Sequence, residues 1–534
     1  SSVEDMPHQV LLGLVAGLAH PKPVDVGIVG WGSGVTAYAT TFFPEVKRVD
    51  VAEIERAVVE ASHLFNEVNG GVRRDRRVNI YYDDARSYFL TTRRQYDVII
   101  SQPSNPWMVG VSNLFSRDFY QLAKKRMRKG GVFAQWLQLY YLDSQSVAMV
   151  LRTLLDSFEH VQLWFTDAGD VVLLASESEL DINLDRVRAA YDKDPRIPYH
   201  MNAFGPGESP DWFFGCFLLD RDAIKKLVDR FPPQIMTDDQ PLLEFWAVRA
   251  LYRKSHPHMA DLWKAKMALG QVFPPTRAKV PPEGAILAGG LSMLRSLPEL
   301  REEISGWAMR RREEAPDVQL MRAKSLAAVG RMASARAMAA KLKGDPNVGP
   351  DATLLLAQVL LRSGLADAGL AELKELGVHR PLARHWFSFQ ALVELGRHDD
   401  AWEEAKGLLK RVAQDRDPDA HRIKWSRFYR YLARVAKGLK NHAQIIALLS
   451  KKPPMYGGEL FRLYGLLDSY RALDKHDEAS KVMDQIMAYG LIDAAQLRTC
   501  EEVHNKAKQK AKADACHVRR MQLRLYPSDP SLWP

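Results

Sequence analysis

The sequence predicts a parallel α/β domain followed by an all-α repeat region. Three observations carry this expectation. Val26-Gly27-Ile28-Val29-Gly30-Trp31-Gly32-Ser33-Gly34 runs an apolar strand into glycines at alternate positions, then into a helix-like run, Val35 to Phe43. Further β-rich runs end in polar residues, each followed by a loop or helix pattern. From about Leu297 strands vanish, helix formers dominate, and similar segments recur at a spacing near 34 residues.

In chain order, seven strands are expected: 24–30, 47–54, 78–84, 96–102, 131–138, 160–167 and 170–176. Glycines suit the first turn because a backbone without Cβ can bend sharply and press against a ligand. The helix after it offers free N–H groups. Glu53, at the end of the second strand, can accept hydrogen bonds from two ribose hydroxyls. Ligands of open α/β sheets sit beyond the carboxyl ends of the strands, where Gly30, Gly32, Ser33, Gly34, Glu53, Asp83, Asp84, Ser101 and Gln102 all fall. A nucleoside pocket is therefore the reading. Glu53 and Asp84 also admit a plainer one, as helix caps or solvated turn residues. The last two strands are joined by Ala168-Gly169, too short for a parallel crossover, so they should pair as an antiparallel hairpin.

Residues 1 to about 178 resemble the spermidine synthase (polyamine aminopropyltransferase) family, bacterial type, within the class I S-adenosylmethionine-dependent methyltransferase fold. The resemblance rests on Gly30-Trp31-Gly32-Ser33-Gly34, Val49-Asp50-Val51-Ala52-Glu53-Ile54-Glu55, Asp84-Ala85-Arg86, Tyr96-Asp97-Val98-Ile99-Ile100 and Pro103-Ser104-Asn105-Pro106-Trp107. It continues through Leu114-Phe115-Ser116-Arg117-Asp118-Phe119-Tyr120 and Gly130-Gly131-Val132-Phe133-Ala134-Gln135-Trp136. Thr237-Asp238-Asp239-Gln240-Pro241-Leu242-Leu243-Glu244-Phe245 extends it to about residue 250. It implies that Gly30, Gly32, Ser33 and Gly34 line the donor's aliphatic arm. Glu53 would hold the ribose, Asp84 and Ala85 the adenine, and Gln9 and Ser101 would touch the same ligand. Asn105 and Trp107 would face the substrate. The implied donor is S-adenosylmethionine or its decarboxylated form, with no metal, and the acceptor a polyamine.

Two departures bear on chemistry. After strand four the family carries Asp-Ser-Ser-Asp-Pro, and its first Asp helps deprotonate the attacking amine. Gln102 stands there, and Asn105 replaces the second Asp. The glycine loop has Ser33 where an acid is expected, and His8 stands where a tyrosine is usual. Neutralising an amine of pKa near 10.4 at pH 7 costs roughly 4–5 kcal/mol. Gln102 accepts a hydrogen bond but cannot take a proton, so Gln102 and His8 are the catalytic candidates, with His8 read either as the replacement base or as an ordinary exposed histidine close to a chain end. Asp83, Asp238, Asp239 and Glu244 are further acids that can restore charge.

The chain has 534 residues, 46% hydrophobic and 26% charged, which fits several globular domains and excludes a disordered chain. No run of about 18 apolar residues occurs, and no signal-peptide pattern stands at Ser1. The chain lacks an initiator Met, as a fragment or processed form would. The resemblance leaves room for a membrane segment outside this chain, and a cytoplasmic location is expected. Cys216, Cys500 and Cys516 show neither metal spacing nor a disulfide framework, so reduced thiols are expected. His256-Pro257-His258 reads as a solvated turn. The net charge is +9. Lys506, Lys508, Lys510 and Lys512 would split across two faces of a helix, which indicates a solvated surface. No nucleic-acid motif accompanies them.

Five small residues, Ala335, Gly369, Ala401, Ala443 and Ala479, follow at spacings of 34, 32, 42 and 36. A helix ending at a glycine, with a small residue five on, matches tetratricopeptide repeats; a non-repetitive helical bundle is the alternative. The expected organisation is a Rossmann-like domain over 1–178, the rest of a catalytic unit over 179–260, and a linker with helices over 261–315. Tetratricopeptide-like repeats over 316–490 and a basic helical tail over 491–534 complete it. A longer loop is expected around Asp415 to His421, and Trp425 to Tyr431 supply aromatic rings for a groove or for the inter-helix core. Such stacks usually bind a protein partner. Two functions follow: an enzyme transferring an aminopropyl group (alternatively a methyl group), or an inactive spermidine synthase-like scaffold or sensor that works through its repeats.

Overall fold

A computed structural model describes residues 6–525 apart from 109, 168, 205–209, 254–258, 277–279, 295, 378, 413–424, 440, 451–458 and 489–493. The chain divides into two units, 1–349 and 350–534.

The first unit is built on one sheet. Its strands are β1 (Asp25–Val29), β2 (Arg48–Ala52), β3 (Val78–Tyr81), β4 (Tyr96–Ser101), β5 (Met127–Gln138), β6 (His160–Asp167), β7 (Asp170–Ser176) and β8 (Phe217–Asp220). The order is β3-β2-β1-β4-β5-β7-β6-β8. β1 to β5 pair in parallel, while β5–β7, β6–β7 and β6–β8 are antiparallel. The expected hairpin forms, with Ala168 of its turn outside the described residues. The Val- and Ile-rich strands β1, β2 and β4 are buried on both faces, as parallel strands between helices must be. β8 was not foreseen: Phe217-Leu218-Leu219 is too short a run to separate from helix without its partner. Because β1, β2 and β4 run parallel, their carboxyl ends lie along one edge, and the amino end of the antiparallel β7 lies on the same edge beside the end of β5.

Helix Met6–Ala19 lies across this sheet and against helix Val35–Thr40. The approach is close: a Cβ on Gly13 would meet Ala39 at 2.7 Å, and one on Gly17 would meet the Phe43 ring at 2.1 Å. That contact fixes where His8 and Gln9 stand relative to the glycine loop.

Beyond residue 220 the regular elements among the described residues are helices. Helices Pro316–Ala328 and Met332–Leu342 pair with each other and close the first unit, and Pro316–Ala328 packs on Glu283–Met293 and Pro298–Arg311. Helix Gly349–Arg362 begins at the boundary, and the second unit continues with Ala366–Glu375, Pro381–Glu394, His398–Val412, Trp425–Leu439, His442–Leu449, Glu459–Ala472, His476–Ala488, Ala494–Lys506 and Lys510–Leu525. Glycines in left-handed conformation end helices at Gly330, Gly364 and Gly396, with φ of 82°, 79° and 72°. Ala335, Gly369, Ala401 and Ala479 are buried, as close helix packing requires; Ala443 is exposed, and Ile445 turns inward instead. Phe428 and Tyr429 are buried in the inter-helix core with Trp386 and Phe389, and Tyr429 also lines a cavity with Leu432, Ala436, His442 and Ile445. The Asp415–His421 loop, the side chain of Trp425 and the His256–His258 segment lie outside the described residues.

Two expectations are corrected here. Lys506, Lys508, Lys510 and Lys512 do not share one helix: Lys506 ends one, Lys510 begins the next, and Lys508 sits in the turn with φ 57°. The four side chains are exposed, as expected. Cys500 and Cys516 are not separate thiols but form a disulfide across that turn, because the two helices bring their Cα atoms to 6.0 Å. Cys216 is free and buried.

Candidate functional site

The glycine loop has the backbone its sequence demands. Gly30, Gly32 and Gly34 take φ of 86°, 53° and 81°, values that L side chains rarely adopt. A Cβ on Gly30 would stand 2.8 Å from the Gln102 carbonyl oxygen, and one on Gly34 would stand 2.9 Å from the Trp31 ring. Nothing lies within 4 Å of the place a Gly32 Cβ would take, so this turn faces open space.

Glu53 holds the loop. Its two carboxylate oxygens accept N–H bonds from Trp31 at 2.7 Å and Glu55 at 2.9 Å. A carboxylate offers about four lone-pair positions, so about two remain for a ligand diol. Glu53 is 8% exposed.

Gln9 joins the same cluster: Ser33 Oγ donates to Gln9 Oε1 at 2.5 Å, and Thr36 Oγ1 lies 3.1 Å from the Gln9 carbonyl oxygen. Thr36 Oγ1 also lies 2.6 Å from Gln102 Oε1. Thr36, which the sequence reading passed over, therefore ties the end of β4 to the helix after the glycines. Its only local signal was a hydroxyl on the first turn of that helix. Asn69 was also passed over; its amide donates to the Ser33 carbonyl at 2.8 Å.

The remaining candidates separate. Asp84 caps helix Ala85–Thr91 by accepting the Ser87 N–H at 3.0 Å, so the plainer reading holds for one of its lone pairs. Ala85 is buried beside it. Ser101 is fully buried and accepts from Gln135 Nε2 at 3.3 Å, so its hydroxyl packs beneath the strand end. Asp238 is bound to Arg86 and accepts from Ser116 Oγ at 2.6 Å; Glu244 takes the Gly110 N–H and the Ser112 hydroxyl at 3.2 Å each. These two acids brace the loops after β3 and β4. Asp83 and Asp239 are exposed.

His8 turns away from Gln9's cluster to the ends of β5 and β7. Its ring stacks on Trp136 with centroids 5.6 Å apart, and Nδ1 lies 3.6 Å from Asp170 Oδ2. Trp136 Nε1 donates to Asp170 Oδ1 at 2.9 Å. Gln138, paired with Asp170 across the strands, is fully buried, and its amide has no hydrogen-bond partner among the described residues. Asp170 is the acid that sequence reasoning missed. It is a single residue after a turn, and only the antiparallel strand carries it to the edge where the parallel strands end. β7 lies two strands from β4, about 10 Å away. An aromatic wall borders this edge: Trp107 meets Tyr141 edge-on at 5.9 Å, and Tyr141 meets Tyr140 at 5.8 Å. Tyr141 has φ 58°, a left-handed conformation uncommon in residues other than glycine. Asn105 is half-buried and its carbonyl accepts the Met108 N–H at 3.0 Å.

A mostly parallel sheet in this order, with a glycine turn after β1 and an acid ending β2, defines a class I methyltransferase-like Rossmann domain. The Spermine/spermidine synthase domain matches residues 5–166. The chain is 30% identical over 252 residues to "Polyamine aminopropyltransferase 2" of Pseudomonas aeruginosa, across 45% of this chain and 70% of that protein. It is 30% identical over 193 residues to "Polyamine aminopropyltransferase" of Nitrosomonas europaea, across 33% of this chain and 58% of that one. Among solved structures, spermidine synthase in complex with the transition state analogue AdoDATO matches with TM-score 0.31 and 23% identity, over 35% of this chain and 65% of that one. The chain belongs to the spermidine synthase (polyamine aminopropyltransferase) family. Among the described residues no helix is long and apolar enough to cross a membrane.

Proposed function

We propose that the first unit binds an S-adenosyl nucleoside and transfers the aminopropyl group of decarboxylated S-adenosylmethionine to an amine, with the His8–Asp170 pair replacing the missing acid of the β4 loop. In this reaction the amine's lone pair attacks the carbon next to the sulfonium. The carbon–sulfur bond breaks toward sulfur, leaving a neutral thioether, and the new secondary ammonium sheds a proton. Gln102 cannot take that proton and is engaged with Thr36. The His8 imidazole can, and an adjacent carboxylate favours its protonated form. Asp170 adds negative charge for a cationic acceptor, and Trp107, Tyr140 and Tyr141 offer ring faces of the kind that bind ammonium groups. Glu53 would take the ribose hydroxyls and the glycine loop the donor's arm.

The observation that carries this reading is the contact of His8 with Asp170 at the sheet edge that holds the glycine loop and Gln102. The test is a transfer assay with decarboxylated S-adenosylmethionine and a series of diamines, comparing parent, His8→Ala and Asp170→Asn. Turnover should fall in both variants, and Asp170→Asn should shift the acidic limb of the pH–rate profile. Robust turnover that neither substitution changes would refute the role of the pair.

A second reading is an inactive scaffold or sensor that keeps nucleoside binding and works through tetratricopeptide-like hairpins on a protein partner. The Thr36–Gln102 bond favours it, since that bond uses Gln102 to pin the loop. Binding of methylthioadenosine with no transfer to any amine would select this reading over the first.

A further inference from the structure

We propose that Cys500, His504 and Cys516 form a binding site for a zinc-like divalent cation in the reduced protein, and that the disulfide is the alternative, metal-free state of the same site. Cys500 and His504 are four residues apart on helix Ala494–Lys506, so both side chains fall on one face. Cys516 comes from helix Lys510–Leu525, which packs against it. One ligand atom from each residue lies within 4.8 Å of the others, and all three residues are buried. A disulfide alone has no need of an imidazole. Here His504, 1% exposed, stands beside both sulfurs, and its orientation is held: Nδ1 lies 2.9 Å from Ser480 Oγ. A metal-bound histidine characteristically uses its second nitrogen in this way. Asp484 Oδ1 lies 3.5 Å from Nε2, close to the roughly 3.3 Å edge between nitrogen and oxygen ligands on a tetrahedral ion. Asp484, now also paired with Lys512, is thus an acid placed to complete the set.

The chemistry selects the metal class. Thiolate and imidazole are the ligands zinc prefers, Asp484 would supply the fourth that a closed tetrahedral site takes, and two thiolates neutralise a divalent charge inside a buried site. The exchange balances. A dithiol reductant gives two electrons and two protons to the Cys500–Cys516 bond and becomes a disulfide itself. Zinc then displaces the two thiol protons to solvent. Free sulfurs separate to about 3.7 Å, which is the edge that zinc–sulfur bonds of about 2.3 Å require in a tetrahedron. Little movement of either helix is needed. Each state staples the same two helices, one covalently and one by coordination.

The test uses the full chain, reduced with a dithiol that is then removed without air, and titrated with Co²⁺. Thiolate-to-cobalt charge-transfer absorption should saturate at one ion per chain, and Zn²⁺ should abolish it. The oxidised protein, whose fold is the one described, should show none of this. Cys500→Ala and Cys516→Ala should lose the charge-transfer band, with helix content checked by circular dichroism. Ser480→Ala, which leaves all three ligands, should weaken binding about 10–100-fold. Absence of the band in the reduced parent, or equal binding by the oxidised parent, would overturn the proposal without recourse to any variant.

Discussion

Replacing Glu53 by alanine should remove nucleoside binding, and the size of the loss can be worked from the site. Each oxygen of Glu53 already accepts one backbone N–H, at 2.7 and 2.9 Å. The remaining lone pairs are those proposed to take two ribose hydroxyls. Hydrogen bonds to a charged group contribute about 1.5–3 kcal/mol each. Losing two therefore costs roughly 3–6 kcal/mol, or about 10²–10⁴-fold in Kd. The orphaned Trp31 and Glu55 N–H groups add a loss of loop order. Glu53→Gln should fall between, because its amide has one acceptor oxygen and would point N–H at N–H on the other side. The assay is calorimetric titration with S-adenosylmethionine, its decarboxylated form and methylthioadenosine, with ligand-free melting to separate loop damage from lost ligand bonds. Binding of all three ligands by Glu53→Ala within twofold of the parent would refute the assignment.

Gln102→Asp should accept the Thr36 hydroxyl as Gln102 does while adding a base, so aminopropyl transfer should rise by up to 10²–10⁴-fold; no rise in initial rates would count against the reading of this loop. Lys266 is 1% exposed, its ammonium bonded to the Phe217 carbonyl and 5.0 Å from the Trp263 ring centroid, and burial lowers its pKa from 10.5 to about 7. Between those values the unfolded chain holds the proton and the folded one does not, so stability should increase with pH from about 7 to 10.5, by at most about 4–5 kcal/mol. Denaturant unfolding of parent and Lys266→Met at pH 7 and pH 10 measures this, and an unchanged difference between the two proteins would contradict it. Truncation after Gly349 should leave nucleoside affinity intact and abolish association with a partner of the hairpins; matching interaction profiles for both lengths would oppose the proposed division of labour.

Much of the candidate site's local geometry was legible because it depends on neighbours in the chain. The Gly30–Gly34 turn announces positive φ through glycine, and Glu53 ends the next strand, so both sat where the sequence placed them. Asp84 showed why a residue type at a strand end is ambiguous: the same carboxylate that can meet a ligand also caps the following helix. Ser101 pointed into the core, since a period-two strand hides alternate side chains and the sequence does not mark which face is covered. In the helical region the small residues at Ala335, Gly369, Ala401 and Ala479 marked true helix contacts. Ala443 did not, because a helix can rotate by a residue or two to bury Ile445.

The sequence by itself determined the succession of the first seven strands along the chain, the glycine turn, the acid after β2, and the loss of the expected acids at Gln102 and Asn105. These are statements about neighbours in the chain, governed by backbone conformation and hydrophobic period. Only the tertiary structure decided that His8 would stand against Asp170, 162 positions away, that Thr36 would hold Gln102, and that Cys500, His504 and Cys516 would meet. Each of these contacts depends on how elements cross, through a close helix approach at Gly13, an antiparallel strand in a parallel sheet, or a tight turn at Lys508. Crossing geometry is set by packing of the whole core, a property that no short segment of the chain contains.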